Sequence, residues 1–202
     1  VADDIDRLMT VLAEHAPKTK WLTIGGSLPP GVDAGEYYRL VVWGHQQGLK
    51  VLLDADGAAM VQGIQAGPDL IKPNIDEAKR LLNKEFEPKD GADAANELWK
   101  KLSEVNPHAT VILSMGADGA IMTDGTTMWR GISPEVEVNS TIGSGDSMLG
   151  GFLFGLEDGR GRTESFRLGL ACGAATATTN GSEIARLPVI NELLTKASVT
   201  VS

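Results

Sequence analysis

Short apolar runs, each stopped by glycine, proline or aspartate, alternate with helical repeats along this chain, and that alternation constrains the fold more than any other feature. Trp21-Leu22-Thr23-Ile24, Lys50 to Asp54, Asp69 to Lys72 and Thr110 to Leu113 read as buried strands. Before the first of them, Ile5, Leu8, Met9 and Leu12 recur at i, i+3, i+4 and i+7, which predicts a helix over 3–16 capped by Asp3 or Asp4. Helices over 35–47, 57–65, 75–83 and 91–103 occupy the intervals between strands. Parallel neighbours need such crossover connections, so the expected class is α/β with a mostly parallel sheet and helices on both faces. Ala120 to Thr123 and Thr127 to Arg130 predict a hairpin through Asp124-Gly125, and 136–138 one more short strand. Helices over 145–156, 164–178 and 189–196 close the chain, the last begun by Pro188. Without repeat, low-complexity run or linker, residues 1–202 are expected to form a single α/β domain.

In open parallel sheets, ligands gather beyond the C-terminal strand ends. The loops 25–31, 54–57, 72–77, 114–119 and 139–146 are therefore the candidates. The charge balance limits what they can hold. With 18 basic and 27 acidic residues the net charge is −9, which excludes a long-range basic field for nucleic acid. It does not exclude a phosphorylated ligand, because backbone amides bind anions locally. A single cysteine, Cys172, excludes an internal disulfide and a multi-cysteine zinc site and sets the expectation of a reducing, cytoplasmic setting. His15, His45 and His108 lack ligand spacing. No apolar run has the length of a membrane span and no leader is visible, so no membrane partner is expected. The chain opens on Val1 with a segment that reads as mid-domain, which sets the expectation that it starts inside a larger protein.

Five segments carry possible chemistry. In Asn139-Ser140-Thr141-Ile142-Gly143-Ser144-Gly145-Asp146-Ser147-Met148, two glycines frame Ser144 just before a helix. Amides there can meet an anion, and Asp146 in the first turn can take a proton from an attacking hydroxyl. The same residues are also ordinary helix-start chemistry. In Lys72-Pro73-Asn74-Ile75-Asp76-Glu77, Asn74 and Glu77 fit either a helix cap or a pair organising a hydrated Mg2+. Ser114-Met115-Gly116-Ala117-Asp118-Gly119 reads as a nucleotide-bordering turn or a tight turn before a hairpin. Gly25 to Gly31, with Ser27, reads as a ligand loop or a rigid connector. The small-residue helix Gly169 to Thr178 allows a flat ring or a neighbouring element to approach closely, and helix packing is its simpler reading.

Taken together and in this order, Gly26 to Gly31, Lys72 to Glu77, Ser114 to Gly119 and Ser140 to Met148 resemble the ribokinase-like, PfkB-type carbohydrate kinase family, across nearly the whole chain. Within it they resemble the phosphofructokinase and tagatose-6-phosphate kinase branch. The resemblance implies a three-layer αβα fold and an ATP- and Mg2+-dependent kinase acting on a ketohexose phosphate, of 1-phosphofructokinase or 6-phosphofructokinase type. Asp146 would be the base, and Gly143, Ser144 and Gly145 the anion hole. Ser114, Met115, Gly116, Ala117, Asp118 and Gly119 would border ATP, with Lys72, Asn74 and Gly145 near its phosphates. Asn74 and Glu77 would position Mg2+, Ser27 and Asp146 would meet the sugar phosphate, and the backbone of Ser140 and Ile142 would offer a site for a monovalent cation such as K+. Family members usually carry an N-terminal portion of roughly a hundred residues, with early strands, a β-lid and most sugar contacts. Nothing here matches it, so the expectation is the C-terminal part of such a kinase, weak or inactive alone, with homodimerisation a property of the complete enzyme. The alternatives are a non-catalytic nucleotide-binding module and a dinucleotide-dependent oxidoreductase. The second is disfavoured because Met148 stands where the third glycine of G-x-G-x-x-G belongs.

Overall fold

The computed structural model describes residues 2–202. The chain divides into two compact units, Val1–Leu113 with Thr123–Gly125, and Ser114–Met122 with Thr126–Ser202.

The first unit is built on parallel strands that neighbour one another in chain order: β1 (Trp21–Gly25), β2 (Lys50–Asp54), β3 (Leu70–Ile71) and β4 (Thr110–Ser114), whose final residue opens the second unit. Trp21 pairs with Lys50 and Gly25 with Asp54, and Leu70 lies between Leu52 and Thr110. The helix α1 (Ala2–His15) precedes β1, and α2 (Gly35–Gln46), α3 (Gly57–Ile64), α4 (Ile75–Leu82) and α5 (Gly91–Ser103) form the connections between the strands. Val51, Leu52, Leu53, Leu70, Ile71, Val111, Ile112 and Leu113 are all buried. Consecutive strand residues are apolar because a parallel sheet is covered on both faces. Small residues let the helices lie close: a Cβ on Gly44 of α2 would meet Val51 at 2.7 Å, and one on Gly63 of α3 would meet Leu53 at 2.5 Å. The apolar stripe of α1 is covered only in part. Ile5, Met9 and Leu12 are half-buried, while Leu8 is 44% exposed.

The second unit contains β5 (Ala120–Thr123, whose last residue belongs to the first unit), β6 (Met128–Ile132) and β7 (Ser198–Val201), neighbours in that order, with α6 (Ser144–Glu157), α7 (Gly161–Ala177) and α8 (Leu187–Leu194). Two expectations are corrected here. Residues 136–138 form no strand, and the unanticipated β7 pairs antiparallel with β6, Trp129 opposite Val201 and Ile132 opposite Ser198. With β5 on one side and β7 on the other, β6 has no free edge to offer 136–138.

The tightest packing in this unit joins α6 to α7. A Cβ on Gly151 would lie 2.6 Å from the Cys172 sulfur, and one on Gly169 would lie 2.7 Å from the Met148 carbonyl oxygen. Thr176 Oγ1 donates to Ser147 Oγ across the same contact at 2.8 Å. The small-residue run in α7 is therefore a packing face, and Cys172 is a buried thiol within it. Gly150, on the opposite side of α6, is exposed with open space where its Cβ would go. Gly169→Ala should lower stability by about 1–3 kcal/mol through backbone displacement. Gly150→Ala should raise it by roughly 0.5–1 kcal/mol through helix propensity. Urea unfolding midpoints of the two variants check both signs.

Candidate functional site

The second unit holds a cavity of about 460 Å³, within the range of small-molecule sites. Ser114, Gly116, Ala117 and Gly119 from the turn after β4 line it, together with Thr141, Ser144, Gly145 and Met148 at the start of α6. The two glycine-punctuated segments picked out in the sequence thus meet in one cavity. Its apolar wall comes from Pro134, Val136 and Val138 and from Leu170, Gly173, Ala174 and Ala177 of α7, while Ser133 and Glu135 add polar groups. The stretch 133–138 was missed as a site element because its Val-x-Val alternation reads as a strand. The small residues of α7 had signalled close approach, and they serve two neighbours: Gly169 faces α6, while Ala174 and Ala177 face the cavity.

The 114–119 turn is held by its own backbone. Met115 N donates to Gly119 O at 2.9 Å, and Gly119 N donates to Gly116 O at 3.1 Å. Gly119 has φ 86°, and a Cβ there would lie 2.1 Å from Gly131 O, so only glycine fits. Two residues expected beside a nucleotide stand outside the cavity lining. Met115 is buried at 8% exposure, and Asp118 is exposed elsewhere on the turn.

Gly143 caps α6 in the left-handed region at φ 75°, with no side chain bonding to the helix start. Ser144 N donates to Thr141 O at 3.2 Å and Ser147 N to Gly143 O at 2.9 Å. The amides of Gly145 and Asp146 find no acceptor among the described residues. They are the orphan donors of a helix N-terminus, where the dipole favours an anion. Asp146 is exposed in this first turn and makes no ion pair or hydrogen bond among the described residues; it adjoins the cavity lining in sequence without being part of it. The preceding loop is tied to the end of α7. Ser140 Oγ donates to Gly181 O at 2.8 Å and accepts from Ile142 N at 3.2 Å, and the amides of Asn139 and Ser140 both donate to Ala177 O.

In the first unit, Ser27 is exposed in the loop after β1. Tyr37 fastens that loop by donating from its hydroxyl to Gly26 O at 3.0 Å, and burial pushes the Tyr37 phenol up. Lys72, following β3, is buried and pairs with Asp54 at the end of β2, Nζ to Oδ1 at 3.1 Å. Asn74 and Glu77 form a complete capping box on α4. Asn74 Oδ1 accepts from the amides of Asp76 and Glu77 at 3.0 and 2.9 Å, and Glu77 Oε2 accepts from Asn74 N at 2.8 Å. Burial raises the Glu77 pKa. The Asn74 amide and the Lys72 charge oppose that rise, and Asp54 and Asp56 reinforce it. Asp56 caps α3 and holds Arg80 through two hydrogen bonds, at 2.8 and 3.2 Å.

Among the described residues, no group of three or more His, Cys, Asp or Glu side chains could hold a metal. The residues do fit an ion that keeps most of its waters, since the capping box uses only one oxygen of Glu77. No helix among the described residues is long and apolar enough to cross a membrane.

Comparison with known proteins gives the family and the fold. Residues 3–189 match the model of the pfkB family carbohydrate kinase. The chain is 32% identical over 165 residues to the ATP-dependent 6-phosphofructokinase isozyme 2 of Escherichia coli, covering 81% of this chain and 52% of that protein. It is 35% identical over 159 residues to the 1-phosphofructokinase of Borreliella burgdorferi, covering 77% and 50%. The crystal structure of phosphofructokinase-2 from Escherichia coli in complex with potassium superposes with a TM-score of 0.82 at 28% identity, covering 96% of this chain and 62% of that one. The chain thus spans about half the length of the curated relatives it matches. The structural likeness makes the fold the expected three-layer, ribokinase-like α/β class with a mostly parallel sheet. With nearly all of its length matched, the chain belongs to the pfkB family of carbohydrate kinases.

Proposed function

We propose that this chain is the nucleotide-binding and catalytic part of an ATP-dependent kinase. It transfers the γ-phosphoryl group of ATP to a hydroxyl of a ketohexose phosphate, as 1-phosphofructokinases and 6-phosphofructokinases do. One observation carries the reading: a cavity large enough for a nucleotide ends on the unpaired amides at the start of α6, with a free carboxylate in the same helical turn. The apolar wall of Val136, Val138, Leu170 and Ala174 suits a flat base, and the amides of Gly145 and Asp146 suit the phosphates.

Phosphoryl transfer asks a protein for positioning and charge neutralisation more than for covalent chemistry. In the proposed step the sugar hydroxyl oxygen bonds to the γ-phosphorus, the bridging oxygen leaves with ADP, and Asp146 accepts the hydroxyl proton. Gly143, Ser144 and Gly145 hold charge through their backbone. The turn residues Ser114, Gly116, Ala117 and Gly119 border the nucleotide. Lys72 supplies a positive charge for the phosphates, Ser27 a hydroxyl for the sugar phosphate, and Asn74 and Glu77 orient a hydrated Mg2+, which when bound neutralises phosphate charge. A monovalent cation at the backbone carbonyls of Ser140 and Ile142 and a cytoplasmic setting belong to the same proposal. The second reading is a module that binds nucleotide without turnover, and binding assays separated from transfer assays distinguish the two.

Asp146→Asn should lower kcat by about 10²–10⁴-fold, the usual worth of a general base, while nucleotide affinity stays unchanged. Steady-state rates with fructose 1-phosphate and fructose 6-phosphate as acceptors, beside calorimetric ATP binding, check this. Near-normal turnover by the variant would remove Asp146 as the base.

Glu77→Gln keeps a side chain able to complete the capping box. The folded Glu77 carboxyl has a raised pKa, so its contribution to stability is present below the ordinary carboxylate pKa and is lost as pH rises through the raised value. The variant should therefore gain stability relative to the native chain between acidic and neutral pH. At neutral pH it should need more Mg2+ for half-maximal activity. Thermal melts across that pH range and Mg2+ titrations of rate check the two halves separately.

A further inference from the structure

Asn180 and Gly181 follow the end of α7 in an exposed bend, and Asn180 is the only asparagine of the chain that precedes glycine. Asparagine is a thermolabile residue, because the amide nitrogen of the next residue can attack its side-chain carbonyl. Glycine at that next position puts no Cβ in the way, and at Gly181, with φ 58°, nothing lies within 4 Å of where a Cβ would stand. Both reacting groups are free. Neither the Asn180 side chain nor the Gly181 amide has a hydrogen-bond partner among the described residues. The chain around them is held, with Glu183 N donating to Asn180 O at 3.1 Å and Thr179 Oγ1 to Glu183 O at 2.6 Å. Asn139-Ser140 is the contrast. Asn139 Nδ2 donates to Thr178 O at 2.9 Å and Ser140 N to Ala177 O at 3.3 Å, so both of its reacting groups are tied.

The neighbouring carbonyl gives the site a consequence. Gly181 O accepts from Ser140 Oγ at 2.8 Å, and that hydroxyl accepts from Ile142 N at 3.2 Å, so Gly181 anchors the loop that delivers Gly143 to the start of α6. We infer that Asn180-Gly181 is a site of spontaneous deamidation, and that the isoaspartate formed there releases this anchor. In the step, Gly181 N gives its proton to solvent and bonds to Asn180 Cγ, the Cγ–Nδ2 bond breaks, and ammonia leaves. Water then opens the cyclic imide at either carbonyl, giving aspartate or isoaspartate. Isoaspartate adds one methylene to the main chain between 180 and 181, which displaces Gly181 O from Ser140. The modification needs neither nucleotide nor sugar, so it stands apart from the kinase reading.

The test incubates the native chain, Asn180→Gln, Asn180→Asp and Ser140→Ala in warm, mildly alkaline buffer. Peptide mapping by mass spectrometry and methyl transfer by an isoaspartyl methyltransferase locate and count the isoaspartate, while melting temperature and hydrogen exchange are followed over the same period. The native chain should gain isoaspartate at 180 about tenfold faster than at 139, where hydrogen bonds must break first. Its melting temperature should fall by about 2–4 °C as the Ser140 bond is lost, and amide exchange over 139–143 should quicken. Asn180→Gln should keep its fresh values throughout. Fresh Asn180→Asp, which carries the charge without the methylene, should melt like the native chain. Ser140→Ala should melt lower when fresh and gain isoaspartate at 180 without falling further. Equal rates at 180 and 139, or isoaspartate at 180 with unchanged melting and exchange, overturns the inference. A fall in aged Ser140→Ala as large as the native one removes the lost anchor as its cause.

Discussion

The close approach of α6 and α7 is the contact on which the second unit's cavity depends. Gly169 lies beneath the Met148 carbonyl, and Gly173 beneath the Ser144 carbonyl, where added Cβ atoms would sit 2.7 and 3.1 Å from the oxygens. These contacts set the depth of α6 over α7 at its first turns, which is where the unpaired amides begin. A backbone carbonyl cannot swing aside as a flexible side chain can, so the position of the N-terminus is fixed by main-chain contact. Interiors are packed densely enough that a displacement of this kind spreads to neighbours instead of being absorbed locally. The same helix supplies Ala174 and Ala177 to the cavity wall. Helix packing and the cavity wall are thus two consequences of one run of small residues.

In the first unit the polar groups fix the backbone at the helix start and the strand ends. Asn74 and Glu77 complete a helix cap, yet one oxygen of Glu77 remains uncommitted. Structural and functional readings of Asn-x-x-Glu do not compete here, because the cap fixes the carboxylate that the function would use. Lys72 and Asp54 join the ends of β3 and β2 where both side chains are largely buried. Breaking such a pair by removing one partner typically costs about 3–5 kcal/mol, since it strands the other charge. The pair therefore holds two strand ends in register and keeps the Lys72 ammonium in one place, at the strand ends where ligands of open α/β sheets gather.

Much of this was legible in the sequence. The strands β1, β2 and β4 announced themselves because strands covered on both faces need unbroken apolar runs, and Asn74 with Glu77 announced α4 because a capping box has a fixed spacing. The N-terminal turn of α6 was equally readable, since Gly143, Gly145 and Asp146 sit at chemically demanding positions. Other features escaped because their cause lies in partners distant along the chain. Ser198 to Val201 becomes a strand because β6 offers it an edge, and with β5 and β7 on its two sides β6 has none left for Val136 and Val138. The need for glycine at 119 comes from Gly131, twelve residues away. The buried hydroxyl of Ser144 could not be told from an exposed one, because burial is a tertiary property.

The two kinds of donor left unpaired at the head of α6 among the described residues, the Gly145 and Asp146 amides and the buried Ser144 hydroxyl, differ in cost. Amides that water can reach in the empty protein exchange one partner for another on binding, so leaving them unpaired costs little. A hydroxyl sealed from water has no such exchange, and its deficit, of order 1–3 kcal/mol, must be offset by other contacts. Those contacts are close at hand. Phe152 on α6 is almost fully buried and lies against Gly169 of α7, and burying such a side chain stabilises by about 1.5–3 kcal/mol. The interface that positions the helix start is therefore strong enough to hold an unsatisfied group there.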